Sequence, residues 1–216
     1  MNERAIIVGD IHGDARRLDA MLSTLDLQDR KLVFVGDYID RGPDSRSVLS
    51  ILCDLKRALG DRVVFLAGNH DLAFLRYLED GDLARFAAFG GIATLRSYVT
   101  APVGDVLATM LAAIPSEHVA FLEALLPAWN HGDWLISHTG LDPEHPDDRS
   151  MAAMAERSHP DMFQQALDRM VVCGHYVQRD RTPTITDRLI CIDTGCGTVG
   201  GPLTALLLPE RSILQT

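Results

Sequence analysis

Short apolar runs, each closed by polar residues, set the rhythm of this chain. Ala5 to Val8 is rich in Ile and Val and reads as a buried strand. Leu18, Met21, Leu22 and Leu25 then recur at helical spacing. Lys31 to Val35 predicts a second strand. Pro43 and Asp44 look like a helix entry, and Val48, Ile51, Leu52, Leu55 and Leu59 follow on one face. Gly60-Asp61 stops that helix, and Val63 to Ala67 predicts a third strand. Strand–helix–strand units of this length favour parallel pairing through right-handed crossovers.

From about Glu79 to Asn130 the spacing turns helical, broken at Gly90-Gly91, Pro102 and Pro115. Ser116 is the expected N-cap of the helix that carries Val119, Phe121, Leu122 and Leu125. Sheet elements bound this stretch on both sides, so it reads as a helical insert and not as a separate domain. Strands return at Trp134–Ser137, Met170–Cys173, Leu189–Ile192 and Leu203–Leu208, with Pro143–Arg157 a polar loop leading into helix. No internal repeat or low-complexity tract interrupts the pattern.

Composition narrows the class. At 216 residues the chain fits one domain, 1–216, large enough to bury a core without staples. A formal charge of -10 argues against a general nucleic-acid binder, because affinity for the phosphate backbone comes from Lys and Arg. Cys53, Cys173, Cys191 and Cys196 do not form a disulfide framework. Met1-Asn2-Glu3-Arg4 runs straight into a strand, no apolar stretch has transmembrane length, and the expectation is a cytoplasmic protein with no membrane partner. Oligomeric state is not legible.

The chemistry sits where strands end. Gly9-Asp10-Ile11-His12-Gly13 follows the first apolar run, Gly36-Asp37-Tyr38-Ile39-Asp40-Arg41-Gly42 the second, and Gly68-Asn69-His70-Asp71 the third. Ser137-His138 and Gly174-His175 follow two later runs. Asp10 and His12, two residues apart on extended backbone, point the same way and can reach one ion, although a turn Asp beside a capping His explains that motif alone equally well. A carboxylate at Asp37 could bridge two ions, and Asn69 offers a neutral amide oxygen. Asp, Asn and His converging from several strand ends suit a two-metal site for phosphate-ester hydrolysis. Arg41 is placed to fork onto phosphate oxygens, or else is a surface arginine beside a helix. Asp71 reads as a helix cap, and Asp193-Thr194-Gly195 as a tight structural turn.

This ordered set of Gly-Asp-x-His-Gly, Gly-Asp-x-x-Asp-Arg-Gly and Gly-Asn-His-Asp, followed by two separated histidines, resembles the calcineurin-like metallophosphoesterases. Its second motif resembles the bacterial and phage relatives of the Ser/Thr protein phosphatases. The likeness covers Ile6 to Leu208. It implies an α/β fold, a four-layer α-β-β-α sandwich with two central mixed sheets and the insert at about 79–130. It further implies that Asp10 and His12 bind a first ion, that Asp37 bridges, and that Asn69, His138 and His175 complete a second. Manganese is the expected metal, with iron or zinc as options. By the same resemblance His70 is the general acid, Asp40 orients and charges its ring, and Arg41 and Asn69 meet the substrate phosphate, which a hydroxide shared by the two ions attacks directly.

The pattern also departs from the family. The usual second phosphate-binding arginine has no clear counterpart, and Arg149, Arg157 and Arg169 compete, with Arg157 preferred. His138-Thr139-Gly140 and Gly174-His175-Tyr176 stand where His-Ala-Gly and Gly-His-Thr are usual. The leading reading is a phosphomonoesterase of the Ser/Thr protein phosphatase type, acting on a phosphoprotein or a small phosphoester. The alternative is a symmetrical dinucleoside tetraphosphatase, whose members tend to carry Ala where this chain has Asp40. A catalytically dead scaffold is disfavoured, because all six ligand positions and His70 carry competent residues.

Overall fold

The computed structural model describes residues 4–101, 104–165 and 167–216. The chain start and Pro102, named above, lie outside them. From Ala5 onward both faces of β1 (Arg4–Val8) are buried, Ile6 and Val8 toward one cluster and Ala5 and Ile7 toward another. Its sequence is therefore an unbroken apolar run with no alternation. β1 pairs in parallel with β2 (Arg30–Phe34), which pairs in parallel with β3 (Val63–Phe65). α1 (Ala15–Thr24) and α2 (Ser45–Leu59) make the crossovers, and their first turns are capped by the side chains of Asp14 and Asp44.

The second sheet runs β4 (Ala128–His131), β5 (Trp134–Ser137), β6 (Met170–Cys173), β8 (Leu189–Cys191) and β7 (Thr184–Ile185), with β5, β6 and β8 parallel to one another. The chain then returns to the first sheet as β9 (Thr204–Leu208), antiparallel to β1, and closes its edge with β10 (Ser212–Gln215). Both sheets are thus mixed. Val33, Val35, Ile136, Val172, Ile190 and Leu206 fill the space between them.

Helices cover the outer faces. α3 (Asn69–Asp80), α4 (Leu83–Ala88), α5 (Ile92–Tyr98), α6 (Val106–Ala113) and α7 (Ser116–Glu123) join α1 and α2 on the first sheet. Over the second sheet lie one π-helical turn, Ala152–Glu156, and a 3-10 turn, Pro160–Phe163. Leu141, Met154 and Met162 there pack on Leu135, Val171 and Cys191.

Several local expectations shift. The helical run starts at Asn69, ten residues ahead of Glu79, because Gly68 ends the third strand and α3 begins directly on the motif. It ends at Glu123, and Ala128–His131 is already a strand paired with β5. An Ala, a Trp, an Asn and a His in a row carry no periodicity, which hid that hairpin. Ser116 does not cap α7; Pro115 holds the cap position and Ser116 is the first helical residue. No helix among the described residues is long and apolar enough to cross a membrane.

Candidate metal centre

The carboxyl ends of β1, β2, β3, β5, β6 and β8 lie along one rim, as parallel pairing within each sheet requires. The turns leaving that rim are strained. Among described residues other than glycine, seven have positive φ, and five of them are His12, Asp37, Asp40, Arg41 and His175. Such conformations cost roughly 1–3 kcal/mol each and persist only where surrounding bonds dictate them. Here the bonds are visible. Ile11 and His12 donate their N–H groups to the Asp37 carbonyl at 3.1 and 2.9 Å, and Gly13 donates to Tyr38 at 2.9 Å. Glycine is required where backbone meets carboxylate: a Cβ on Gly174 would overlap Asp10, and one on Gly68 would overlap Asp37.

Asp37 sits at the middle. Its Oδ2 lies 3.5 Å from His12 Nε2, 3.3 Å from His138 Nε2 and 3.9 Å from His70 Nε2. Two compact groups of ligand atoms share it, one with His12 and His70, the other with His138 and His175. Asn69 belongs to the second, its Oδ1 3.0 Å from both His138 Nε2 and His175 Nδ1. Asp10 stands beside these groups and not inside either; its carboxylate accepts the His175 N–H at 3.1 Å.

Proton placement shows what the cluster is suited to hold. His12 Nδ1 lies 3.0 Å from the Ile39 carbonyl and His138 Nδ1 3.2 Å from that of Val35. A carbonyl only accepts, so each Nδ1 carries the proton and each Nε2 presents a bare lone pair to Asp37 and Asn69. His138 Nε2 and His175 Nδ1 are only 3.2 Å apart, both against an amide oxygen placed to accept. Lone pairs facing lone pairs are repulsive unless a cation lies among them, and imidazoles oriented through their outer nitrogen are the usual ligand arrangement. The donor set is mixed oxygen and nitrogen, compatible with manganese, iron or zinc.

Charge follows the same lines. Burial holds His12 neutral, lowering it to about 3, with Asp37 opposing and His70 and Arg41 adding to the shift. Burial and His138 lower His175 to about 4. Burial alone would raise Asp37, but positive charge on His138, His70 and His12 outweighs it and holds the carboxyl well below the usual range, the part a bound cation would play while these rings are neutral. Asp10 is raised by burial, Asp193 and Asp37, the mark of carboxylates gathered without their counter-charge.

His70 is buried, with Nδ1 2.8 Å from Asp40 Oδ2 and its ring edge-on to Phe89. Arg41 is exposed beside them, and its backbone N–H donates to Gly90 at 3.3 Å. Arg157 lies apart: its half-exposed guanidinium is 3.9 Å from Asp148, while its neighbour Ser158 lies 2.7 Å from His175 Nε2. Arg149 and Arg169 are engaged with Pro146 and Asp168. Asp71 is more than a helix cap, since it accepts backbone N–H groups from Asp37, Tyr38 and Gly68. Asp193, read as part of a structural turn, does accept the Gly195 N–H at 3.0 Å, but its other oxygen is buried beside Asp10 without a partner among the described residues. Its position at the end of β8 repeats the signal that marked Asp10 and Asp37.

A family model described as calcineurin-like phosphoesterase matches residues 3–179. The asymmetrical bis(5'-nucleosyl)-tetraphosphatase PrpE of Geobacillus thermodenitrificans is 28% identical, covering 97% of this chain and 92% of its own. The symmetrical bis(5'-nucleosyl)-tetraphosphatase of Nitrosospira multiformis is 32% identical, covering 97% and 94%. A candidate serine/threonine-protein phosphatase of Caenorhabditis elegans is 38% identical over 30% of this chain and 18% of its own. A solved structure described as a candidate diadenosine tetraphosphatase shares the fold, with a TM-score of 0.71 at 24% identity over 100% of this chain and 94% of the other. With its motifs converging on one strand-end rim, the chain belongs to the calcineurin-like phosphoesterases and is a metallophosphoesterase.

Proposed function

We propose that this enzyme hydrolyses bis(5'-nucleosyl) tetraphosphates at the Asp37 cluster. The observation that carries the reading is the end-to-end likeness to two tetraphosphatases, against a phosphatase match confined to 30% of the chain. The order suggested by the Asp40-Arg41 motif is thereby reversed. In this reading Asp10, His12 and Asp37 hold a first divalent ion, and Asp37, Asn69, His138 and His175 a second, with manganese the first choice. Bound there, the ions offset phosphate charge and supply an acidified water. The buried cysteines, all free, support a reducing compartment.

The chain's own groups do the rest. The rigid strand-end turns fix the ligand side chains before substrate arrives, so little reorganisation is left for the reaction. Arg41, anchored through its backbone to Gly90, presents a planar fork to phosphate oxygens. His70 keeps its outer nitrogen on Asp40 and turns Nε2 toward Asp37, where it can deliver a proton to the departing oxygen. Asn69 and, less directly, Arg157 are the remaining candidates for phosphate contact.

The Asp40–His70 pair favours a second reading, a phosphomonoesterase of the Ser/Thr protein phosphatase type. A nucleotide phosphate departs readily, whereas a serine alkoxide needs a proton, and a buried carboxylate–imidazole pair is built to give one. Parallel kcat/KM measurements with manganese on diadenosine tetraphosphate, a phosphopeptide and a small phosphomonoester separate the two. The dinucleotide should be the best substrate; preference for the phosphopeptide would overturn the first reading in favour of the second.

A further inference from the structure

We propose that Thr94 is a positioning residue for the acid pair, fixing the Asp40 carboxylate that in turn fixes His70. The proposal rests on the reading of His70 as the proton donor. Thr94 lies on α5 of the helical insert, 54 residues from Asp40, and both side chains are fully buried. Its hydroxyl donates to Asp40 Oδ1 at 2.6 Å, while Asp40 Oδ2 faces His70 Nδ1 at 2.8 Å. Each carboxylate oxygen therefore has one dedicated partner.

The directions of these bonds follow from inventory alone. A hydroxyl has one proton, and Thr94 gives it to the carboxylate. Thr94 Oγ1 must then accept from Ser45 Oγ at 2.9 Å and from the Asp40 N–H at 2.9 Å. The ordered chain is Ser45 to Thr94 to Asp40, met from the other side by the proton on His70 Nδ1. This leaves His70 Nε2 as the atom that faces the cluster. The same bonds hold Asp40 in left-handed backbone at φ 69°, which a non-glycine residue adopts only when so constrained. The insert thus supports the chemistry directly. Gly90, just before α5, reinforces this by accepting from the Arg41 N–H, so one short stretch braces both neighbouring motif residues.

Removing the Thr94 hydroxyl leaves one oxygen of a buried carboxylate without a donor, a loss that typically weakens a charged hydrogen bond's contribution by a factor of about ten to a hundred. The test uses manganese-loaded full-length enzyme and two aryl phosphates, dinitrophenyl phosphate with a good leaving group and phenyl phosphate with a poor one. Thr94→Val should lower kcat on phenyl phosphate about ten- to a hundredfold and spare dinitrophenyl phosphate; Thr94→Ser should restore it. In zinc-loaded protein, proton NMR should show a hydrogen-bonded His70 Nδ1–H, absent from His70→Asn, weakened in Thr94→Val and recovered in Thr94→Ser. Equal loss on both substrates, or an unchanged Nδ1–H in Thr94→Val, would overturn the assignment. Should Thr94→Val fold poorly, Ser45→Ala, which removes the donor to Thr94 and a 3.2 Å acceptor for the Asp40 N–H but leaves the Thr94–Asp40 bond in place, should show the same graded loss in milder form. A graded His70→Asn series beside a flat Thr94→Val series would sink Thr94 alone; a flat His70→Asn series would sink the acid role, and the proposal with it.

Discussion

Asp71 accepts the backbone N–H of Asp37 at 2.8 Å, tying the first acid of one motif to the last residue of another across 34 positions. The same carboxylate takes the N–H groups of Tyr38 and Gly68, both at 3.0 Å. Asp37 itself takes the His70 N–H at 3.0 Å. The left-handed turn at Asp37 is thus held by an acceptor buried beneath it. Asp71→Asn would set an amide NH2 against at least one of three N–H donors. It should cost about 2–4 kcal/mol of stability and reduce metal retention, read by urea unfolding and metal analysis of the same samples. A stable variant with full metal content would contradict this role.

His70 occupies the edge of one ligand group, so its part as acid must be separated from a part in binding. His70→Asn is expected to lower kcat on phosphomonoesters with poor leaving groups by about 100-fold or more, with metal content unchanged. Loss of metal in step with loss of turnover would make it a ligand.

Asp193 gives a pH signature in metal-free protein. Burial, with Asp37 adding, raises its carboxyl from 3.8 to about 6 against the opposing Gly195 bond. A raised folded value means this group's contribution is fully present below about pH 3.8 and is lost as pH rises through about 6. At pH 7 the folded protein therefore bears the cost of an ionised, half-unpartnered carboxylate. Asp193→Asn keeps the acceptor for Gly195 and removes that cost. Chelator-treated Asp193→Asn should be about 1–3 kcal/mol more stable than the parent at neutral pH and level with it near pH 4, by urea titration at the two pH values. Metal should shrink the difference, because a nearby cation favours the ionised form. Equal pH profiles for the two proteins would contradict the shift.

Tyr77 stacks on Phe86 with its hydroxyl buried and, among the described residues, without a partner. Tyr77→Phe keeps the stacking and removes an unsatisfied polar group, so stability should be unchanged or rise by up to about 1 kcal/mol. A clear fall in thermal midpoint would show that the hydroxyl has a partner after all.

The frame of this protein was legible because strands buried on both faces leave unbroken apolar runs, as at Ile6 to Val8 and Leu32 to Val35. The ligand residues were legible because each follows such a run in a fixed pattern of glycine, acid and histidine. Edge strands were not: Ala128–His131, Thr184–Ile185 and Ser212–Gln215 are short and part exposed, and only pairing defines them. Thr94 could not be found, since a lone Thr in a helix carries no local sign of an Asp 54 residues away. Asp10 shows a different limit. Its spacing from His12 suggested a shared ion, but gave no sign that the same carboxylate would also accept the His175 backbone N–H from the second sheet.

Anomalous diffraction from manganese-soaked crystals tests the paired metal site most directly. Two peaks about 4 Å apart are expected, one beside Asp10, His12 and Asp37 and the other among Asp37, Asn69, His138 and His175. A single peak, or manganese bound away from Asp37, would contradict it.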